Sequence, residues 1–406
     1  MKTSAQPSYL QRSPEIWVLL ILLGLPQFSE NIYSPALPAI SQGLQATHAF
    51  VQWTLSVYFV GFAIGVLIWG RLSDQLGQKK SMLLGLLTYC VGTILCIFSK
   101  NIEWLLLSRV VQGFGGSACS VVGQAIARGS LEQHKRHQFF SMSGFVLAFS
   151  ITLGPFVGGY LTQWFNWQSN FVFLTILGIS VLAIVFTRLP GINKKGDTKK
   201  PSAALLSVAK RLLQDRRVIY YACLIGIVQG ILFSYYAEAP FIYIKLLKLT
   251  PSQFGKLGLF IALAAFLGSI FSRKLASHIP QKTVILIGGL IALFSSLLLL
   301  ALAFFGFISH THILISIIAI TLPMMGIVFA AYGFISPIAL GTALLNYSTV
   351  LGTAGALFGL SYYFMVSILT WLMGLFNNGT VYPMPIYFFV LSCVSLFIIL
   401  KLRKLN

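Results

Sequence analysis

The chain has 406 residues, 57% of them hydrophobic and only 9% charged, with a net charge of +20 and a mean hydropathy of +0.85. A soluble domain carries about 25% charged residues, so a soluble enzyme or binding module is excluded at the outset. The basic excess suggests nucleic acid at first sight, but the cations lie between long apolar runs, which is the mark of membrane topology.

Apolar runs longer than about 18 residues read as membrane-spanning helices. Such spans are expected near 15–38, 50–69, 81–99, 103–127, 138–162, 169–187, 218–244, 251–272, 283–307, 311–340, 351–375 and 383–400. Backbone polar groups inside lipid must be satisfied within each span, so the expected fold class is an all-α membrane protein of twelve transmembrane helices. The first run begins at Ile16 with no small-residue cleavage site behind it, so a removed signal peptide is not expected. It carries Gln27, Glu30, Asn31 and Ser34 on one polar stripe at helical spacing. Glu30 is about 15 residues in, or ~22 Å along the helix.

Between spans two and three runs the loop Gly70, Arg71, Leu72, Ser73, Asp74, Gln75, Leu76, Gly77, Gln78, Lys79, Lys80. Span four contains Arg109, about six residues or ~9 Å from the end it enters by, so its depth is comparable with that of Glu30. Arg109, Gln112, Gly116, Ser120 and Gly123 form a second stripe. Span five holds Gly154 and Gly158, and Pro155 and Gly159, each pair four apart; small residues at this spacing let helices approach closely. Glu238 lies near the end of span seven, where it is read either as part of a cation site with Tyr235 and Tyr236 or as an interfacial residue in an aromatic belt.

Of eight acidic residues only Glu30 and Glu238 fall in apolar segments. With Arg109 they are the intramembrane charges. Each costs at least ~2.5–3.5 kcal/mol near mid-bilayer and so requires a partner or a wet cavity. Glu30 is read as a proton carrier tuned by Arg109; the alternative is a static pair that braces two helices. The cysteines (Cys90, Cys96, Cys119, Cys223, Cys393) all sit in apolar segments without a CxxC pair, so neither a disulfide framework nor a metal site is expected, and no cofactor.

Residues 189–217 form the only long polar connection, carrying Lys194, Lys195, Asp197, Lys199, Lys200 and Pro201, with a short amphipathic helix expected over 203–213. It divides the chain into an N-terminal six-helix bundle (1–188), a cytoplasmic linker (189–217) and a C-terminal six-helix bundle (218–406). Residues 70–82 repeat at 273–285: Leu72/Leu275, Gln78/Gln281 and Lys79/Lys282 coincide at half the chain length, which points to duplication. With both termini inside, 23 lysines and arginines face the cytoplasm and 4 (Lys100, Lys245, Lys248, Lys256) face outward, the bias of a cytoplasmic N- and C-terminus.

These features resemble the major facilitator superfamily, and more narrowly its twelve-span drug:proton antiporters of the bicyclomycin- and chloramphenicol-resistance type. The 70–80 loop is similar to the signature between spans two and three. Arg109-Val-Val-Gln112-Gly113 is similar to the span-four motif, Gly154-Pro155-Phe-Val-Gly158-Gly159 to the span-five motif of antiporters, and Glu30 through Pro38 to a run ending in YLPALP. The resemblance implies a latch between the halves at Arg71, Asp74 and Lys79, with Gly70 and Gly77 in its loop. It implies proton coupling at Arg109, and antiport through Gly154, Pro155, Gly158 and Gly159. Glu30 stands where the subfamily commonly has Asp. Gln75 and Gln78 replace frequent basic residues, which implies a weaker latch.

The resulting expectation is a proton-coupled exporter of small amphipathic molecules in the bacterial inner membrane, working by alternating access. Gln27, Asn31, Gln112, Tyr235, Tyr236 and Glu238 are its candidate substrate contacts. Its partners are protons, a small-molecule substrate and the lipid bilayer; no nucleic acid is expected, and the chain is expected to be a monomer. A dedicated metabolite transporter, for a siderophore or an amino acid, is the alternative. An enzyme is not expected, since no cluster of His, Asp or Glu gathers near one face.

Overall fold

The computed structural model describes residues 14–190, 205–309 and 311–405. Lys2, Arg12 and most of the polar linker, Lys194 to Pro201 included, lie outside the described residues.

The first span is a broken helix: α1 (Ile16–Asn31), a 3-10 turn (Ser34–Ala36) and α2 (Leu37–Gly43). Pro35 and Pro38 sit in the first positions of the two short elements, where a missing N–H is harmless; inside a continuous helix each would remove a backbone bond. α3 (His48–Leu76), α4 (Gln78–Ile97), α5 (Ile102–Ser130), α6 (Gln133–Trp164) and α7 (Gln168–Arg188) complete the first six spans. A surface helix, α8 (Leu205–Gln214), precedes the second six. These are α9 (Arg216–Pro240) with a π-helical extension (Phe241–Leu246), then α10 (Pro251–Ala276) and α11 (Gln281–Phe304). Next comes a composite of α12 (Ile313–Val328), a π-helical turn (Phe329–Ile335) and α13 (Ser336–Thr342), followed by α14 (Leu351–Phe376) and α15 (Pro383–Lys404).

Among the described residues eleven of these spans are long and apolar enough to cross a membrane. The other, α6, has 32 residues, so it is about 48 Å long and exceeds the ~30 Å hydrocarbon core. The apolar stretch 311–375 divides at a short 3-10 turn, Leu345–Val350. Twelve spans place both chain ends on one side, called here the terminal face; the opposite side is the far face.

Backbone geometry repeats the sequence duplication. α3 and α10 begin 203 residues apart, each capped by a threonine: the Thr47 hydroxyl accepts from the Phe50 N–H, and that of Thr250 from Gln253. α4 and α11 begin at Gln78 and Gln281, again 203 apart. One apolar core gathers Leu22, Met82, Leu86, Val122 and Val185 from the first six spans, and another gathers Ile231, Leu299, Ile320 and Phe388 from the second. A third joins them, with Leu55, Phe59 and Phe171 meeting Phe233, Ala237 and Val366. Across that boundary α3 packs on α14 and α10 packs on α6, two pairings equivalent under the repeat.

Large apolar side chains point outward in a belt: Phe98, Leu107, Phe186, Phe294 and Leu314 are each more than half exposed. Water would penalise such a surface, whereas lipid accepts it. α8 lies where the linker helix was expected. Its Val208 and Leu212 bury against Val218, Tyr347 and Phe358, and Arg211 stacks on the Tyr347 ring at 4.8 Å.

Candidate transport site and the far-face seal

The break after α1 sets Glu30 at the last turn of that helix, fully buried, with Asn31 beside it. Arg109 on α5 is also fully buried and lies within electrostatic reach of Glu30. They do not form an ion pair; a salt bridge joins Arg188 to Glu15 at the terminal face (3.7 Å). The Arg109 guanidinium is instead sandwiched between the Tyr33 and Tyr58 rings, at 4.2 and 4.4 Å. Its Nε donates to the Thr54 carbonyl (3.3 Å) and its Nη1 to Gln112 Oε1; Gln112 Nε2 in turn donates to the Thr93 hydroxyl (3.0 Å). Arg109 can lie this close to α3 because Gly61 and Gly113 bring the two backbones together. A Cβ on Gly113 would lie 2.1 Å from the Tyr58 carbonyl oxygen.

Several buried polar atoms in this region have no protein hydrogen-bond partner: both Glu30 oxygens, Asn31 Oδ1, Arg109 Nη2 and the hydroxyls of Tyr58 and Tyr236. The field of Glu30 reaches across to the second half, to Tyr332, Tyr362 and Tyr363. The Tyr332 hydroxyl donates to Gln229 Oε1 (2.5 Å), and Tyr363 packs against Phe62 of the first half at 4.5 Å. Acid, guanidinium and a ring of tyrosines thus meet where the halves face each other. These tyrosines are not among the expected site residues; the Tyr362–Tyr363 doublet within an apolar span is the available signal.

The other expected contacts divide. Gln112 is committed to Arg109 and Thr93. Gln27 is half-buried, and its carbonyl accepts from Asn31 Nδ2 (2.8 Å). Tyr235 and Tyr236 both lie in the second half's core, Tyr235 beside Tyr243 and Tyr236 with its hydroxyl lacking a protein partner. Glu238 follows them at the far-face end of α9. Its Oε2 accepts from Gln52 Nε2 of α3 and from Asn377 Nδ2 (2.7 Å) just past α14.

These bonds belong to a seal that closes the far face. Ser56 and Ser367 exchange backbone and hydroxyl bonds, with their hydroxyls 3.0 Å apart. The Ser34 hydroxyl donates to the Tyr236 carbonyl (2.6 Å). His48 Nε2 lies 2.8 Å from Lys245 Nζ, and its ring stacks on Phe241. Gly159 and Gly255 bring α6 and α10 together; a Cβ on either would lie 2.4 Å from a carbonyl oxygen of the facing helix. Gly154 and Gly158 face the other way, onto Asn31 and Ile32.

At the terminal face Gly77 has φ +88°, the left-handed region that lets α3 end and α4 begin. Lys79 donates to the Phe186 carbonyl at the end of α7 (2.8 Å), within its own half. Arg71 and Asp74 are exposed, and no ion pair joins either among the described residues. Gly70 meets only the Val121 side chain.

Two equivalent sets of six spans, with buried charges at their boundary and one face sealed, define a membrane transporter of small molecules. The chain belongs to the Major Facilitator Superfamily, whose family model matches residues 19–370. It is 35% identical over 382 residues to an uncharacterized transporter of Rickettsia felis, covering 93% of this chain and 94% of that one. A bicyclomycin resistance protein homolog of Haemophilus influenzae is 26% identical over 303 residues, covering 73% of this chain and 76% of that one. The crystal structure of a D-xylose-proton symporter superposes with a TM-score of 0.78 over 96% of both chains; at 13% identity the likeness is one of fold. Family membership makes this chain a multi-pass membrane transporter and not an enzyme.

Proposed function

We propose that the chain is a proton-coupled exporter of small amphipathic molecules, drugs among them, acting as a monomer in a bacterial inner membrane. Residues 1–188 and 218–406 are its two rocking halves, and 189–217 is the cytoplasmic linker. Both termini are cytoplasmic: the 23 to 4 division of lysines and arginines supports this orientation and makes the far face the periplasmic one. The drug-resistance relative supports the class of cargo.

One observation carries the proton-coupling reading: Glu30 is fully buried, has no hydrogen-bond donor, and lies in the field of Arg109 at the boundary of the halves. An ionised carboxylate in that position costs several kcal/mol, and a proton or a bound cation removes the cost. In the proposed cycle the periplasmic side opens, a proton replaces the departing substrate at Glu30, and the halves rock to release it to the cytoplasm. Arg109 and Gln112 set the field around the acid. Asn31, Gln27 and Tyr236 line the substrate's place. Tyr235 and Glu238 support that place from α9. At ~2.3 kcal/mol per charge per 100 mV, one proton moving inward supplies useful work.

The test is transport in proteoliposomes under an imposed pH gradient. Glu30→Gln is expected to abolish proton-driven export while leaving substrate counterflow at half of wild type or more. Unchanged proton-driven export in that variant would remove Glu30 from the coupling step.

A further inference from the structure

The chain has a second intramembrane carboxylate, buried like Glu30 but, unlike it, supplied with hydrogen-bond donors. Glu238 lies two residues before Pro240, where α9 gives way to the π-helical turn. Such a turn marks a place where a helix is already locally remodelled. Two amide N–H donors from two other elements converge on its Oε2, Gln52 from α3 and Asn377 from the end of α14. Gln52 belongs to the first half; Glu238 and Asn377 belong to the second. Glu238 is 3% exposed, at the far-face end of the seam.

The seal is held against a cost. Gln52 is fully buried and its Oε1 has no partner. Hydrogen bonds to an ionised carboxylate are roughly twice as strong as neutral ones, so the negative charge on Glu238 is what offsets that cost. Neutralising it weakens the Gln52 bond across the seam and the Asn377 bond that holds the carboxylate in place.

We infer that Glu238 is a second proton-binding site, whose ionised form, oriented by Asn377, latches the far face shut through Gln52 and whose protonation from the periplasm releases it. Under the antiport reading, on which this inference rests, the external proton that drives transport also unlocks the face through which it enters. The titratable and charged groups on the elements packed against this end of α9 are His48 on α3, in contact with Lys245 of the π-helical turn, and Tyr235 and Tyr236 on α9 itself; Arg109 and Glu30 belong to the other site. Near the seam α14 and the residue after it contribute neutral groups, Ser367, Trp371 and Asn377.

The experiment is a distance measurement across the far face by pulsed electron paramagnetic resonance, on the full chain in lipid. Spin labels on Gln45→Cys and Thr380→Cys, both exposed and on opposite halves, report the opening; Cys223 and Cys393, the accessible native thiols, are replaced by serine. As the medium is brought from mildly alkaline to mildly acidic, a longer distance is expected to grow at the expense of the shorter one, changing their ratio about tenfold. Glu238→Gln is expected to show the longer distance at both pH values and no pH step. Asn377→Ala keeps the acid and guards against misfolding of the first variant; it is expected to show the longer distance in alkaline medium already. Glu30→Gln and His48→Asn are expected to keep the pH step. A step that survives in Glu238→Gln, that is lost in His48→Asn or Glu30→Gln, or that is missing from the parent overturns the inference, as does an unchanged distribution in Asn377→Ala. The latch and the coupling reading fail separately: a normal pH step in Glu30→Gln with undiminished proton-driven export would remove Glu30 from coupling and leave Glu238 in place.

Discussion

Arg109 shows how a charge is kept in oil without a matching counter-ion. Two tyrosine faces, one carbonyl and one amide oxygen surround it, all neutral groups. The sandwich requires a flat cation: a guanidinium presents a face to each ring, whereas an ammonium is a compact, strongly hydrated point. Losing two desolvated cation–π contacts costs about 2–4 kcal/mol. Arg109→Lys is therefore expected to lower proton-driven flux about tenfold or more in proteoliposomes, despite keeping the charge. Wild-type flux in that variant would show that only the charge matters and the stacking does not. The neutrality of the shell also leaves the field of Arg109 free to act on Glu30, because no closer anion quenches it.

At the scale of the element, the decisive feature is the interruption of the first span. α1 stops one residue past Glu30, and the backbone beyond it leans on α6 through Gly154 and Gly158. A Cβ on Gly158 would lie 1.6 Å from the Ile32 carbonyl oxygen, so the elements must separate to admit it. Overpacking costs about 1–3 kcal/mol and here more, since the obstacle is backbone. Gly158→Ala is expected to lower thermal stability and abolish transport, while Gly341→Ala, which meets nothing within 4 Å, should leave both at wild-type level. Equal behaviour of the two variants in a melting assay would contradict this account of the contact. The long helices were legible in the sequence because lipid demands a full apolar span for each, and the expected bounds differ from the observed helices by as much as seven residues, as at 69 against Leu76. The break was less legible: Pro35 and Pro38 signalled it, but an apolar window runs through a broken helix as readily as through a whole one. Glu30, Arg109 and Glu238 stood out because charge is rare in lipid. Gln52, Asn377 and the tyrosines at the boundary of the halves did not, since neutral polar residues are common at helix contacts and only the fold reveals which ones face each other.

For the whole molecule, the contacts that join the halves at the far face are what one end of the proposed rocking motion requires. The far-face seam runs along α3 at Gln52, Ser56 and Phe59, each meeting the second half. At the terminal face Arg71 and Asp74 stand exposed and unpaired among the described residues, so the contacts that join the halves lie mainly toward the far face. Alternating access then requires the seam to part once in every cycle. Ser56 and Ser367 offer a direct check, because their hydroxyl oxygens are 3.0 Å apart and each also bonds the other's carbonyl. Ser56→Cys with Ser367→Cys is expected to form a disulfide under mild oxidation, to lose transport in proportion to the cross-linked fraction, and to regain it on reduction. Each single cysteine variant should keep at least about half of the flux, since a lost neutral hydrogen bond costs only ~1 kcal/mol. If the cross-linked protein still carried substrate, the seam would not be a moving part, and the path would have to run through a different opening between the halves.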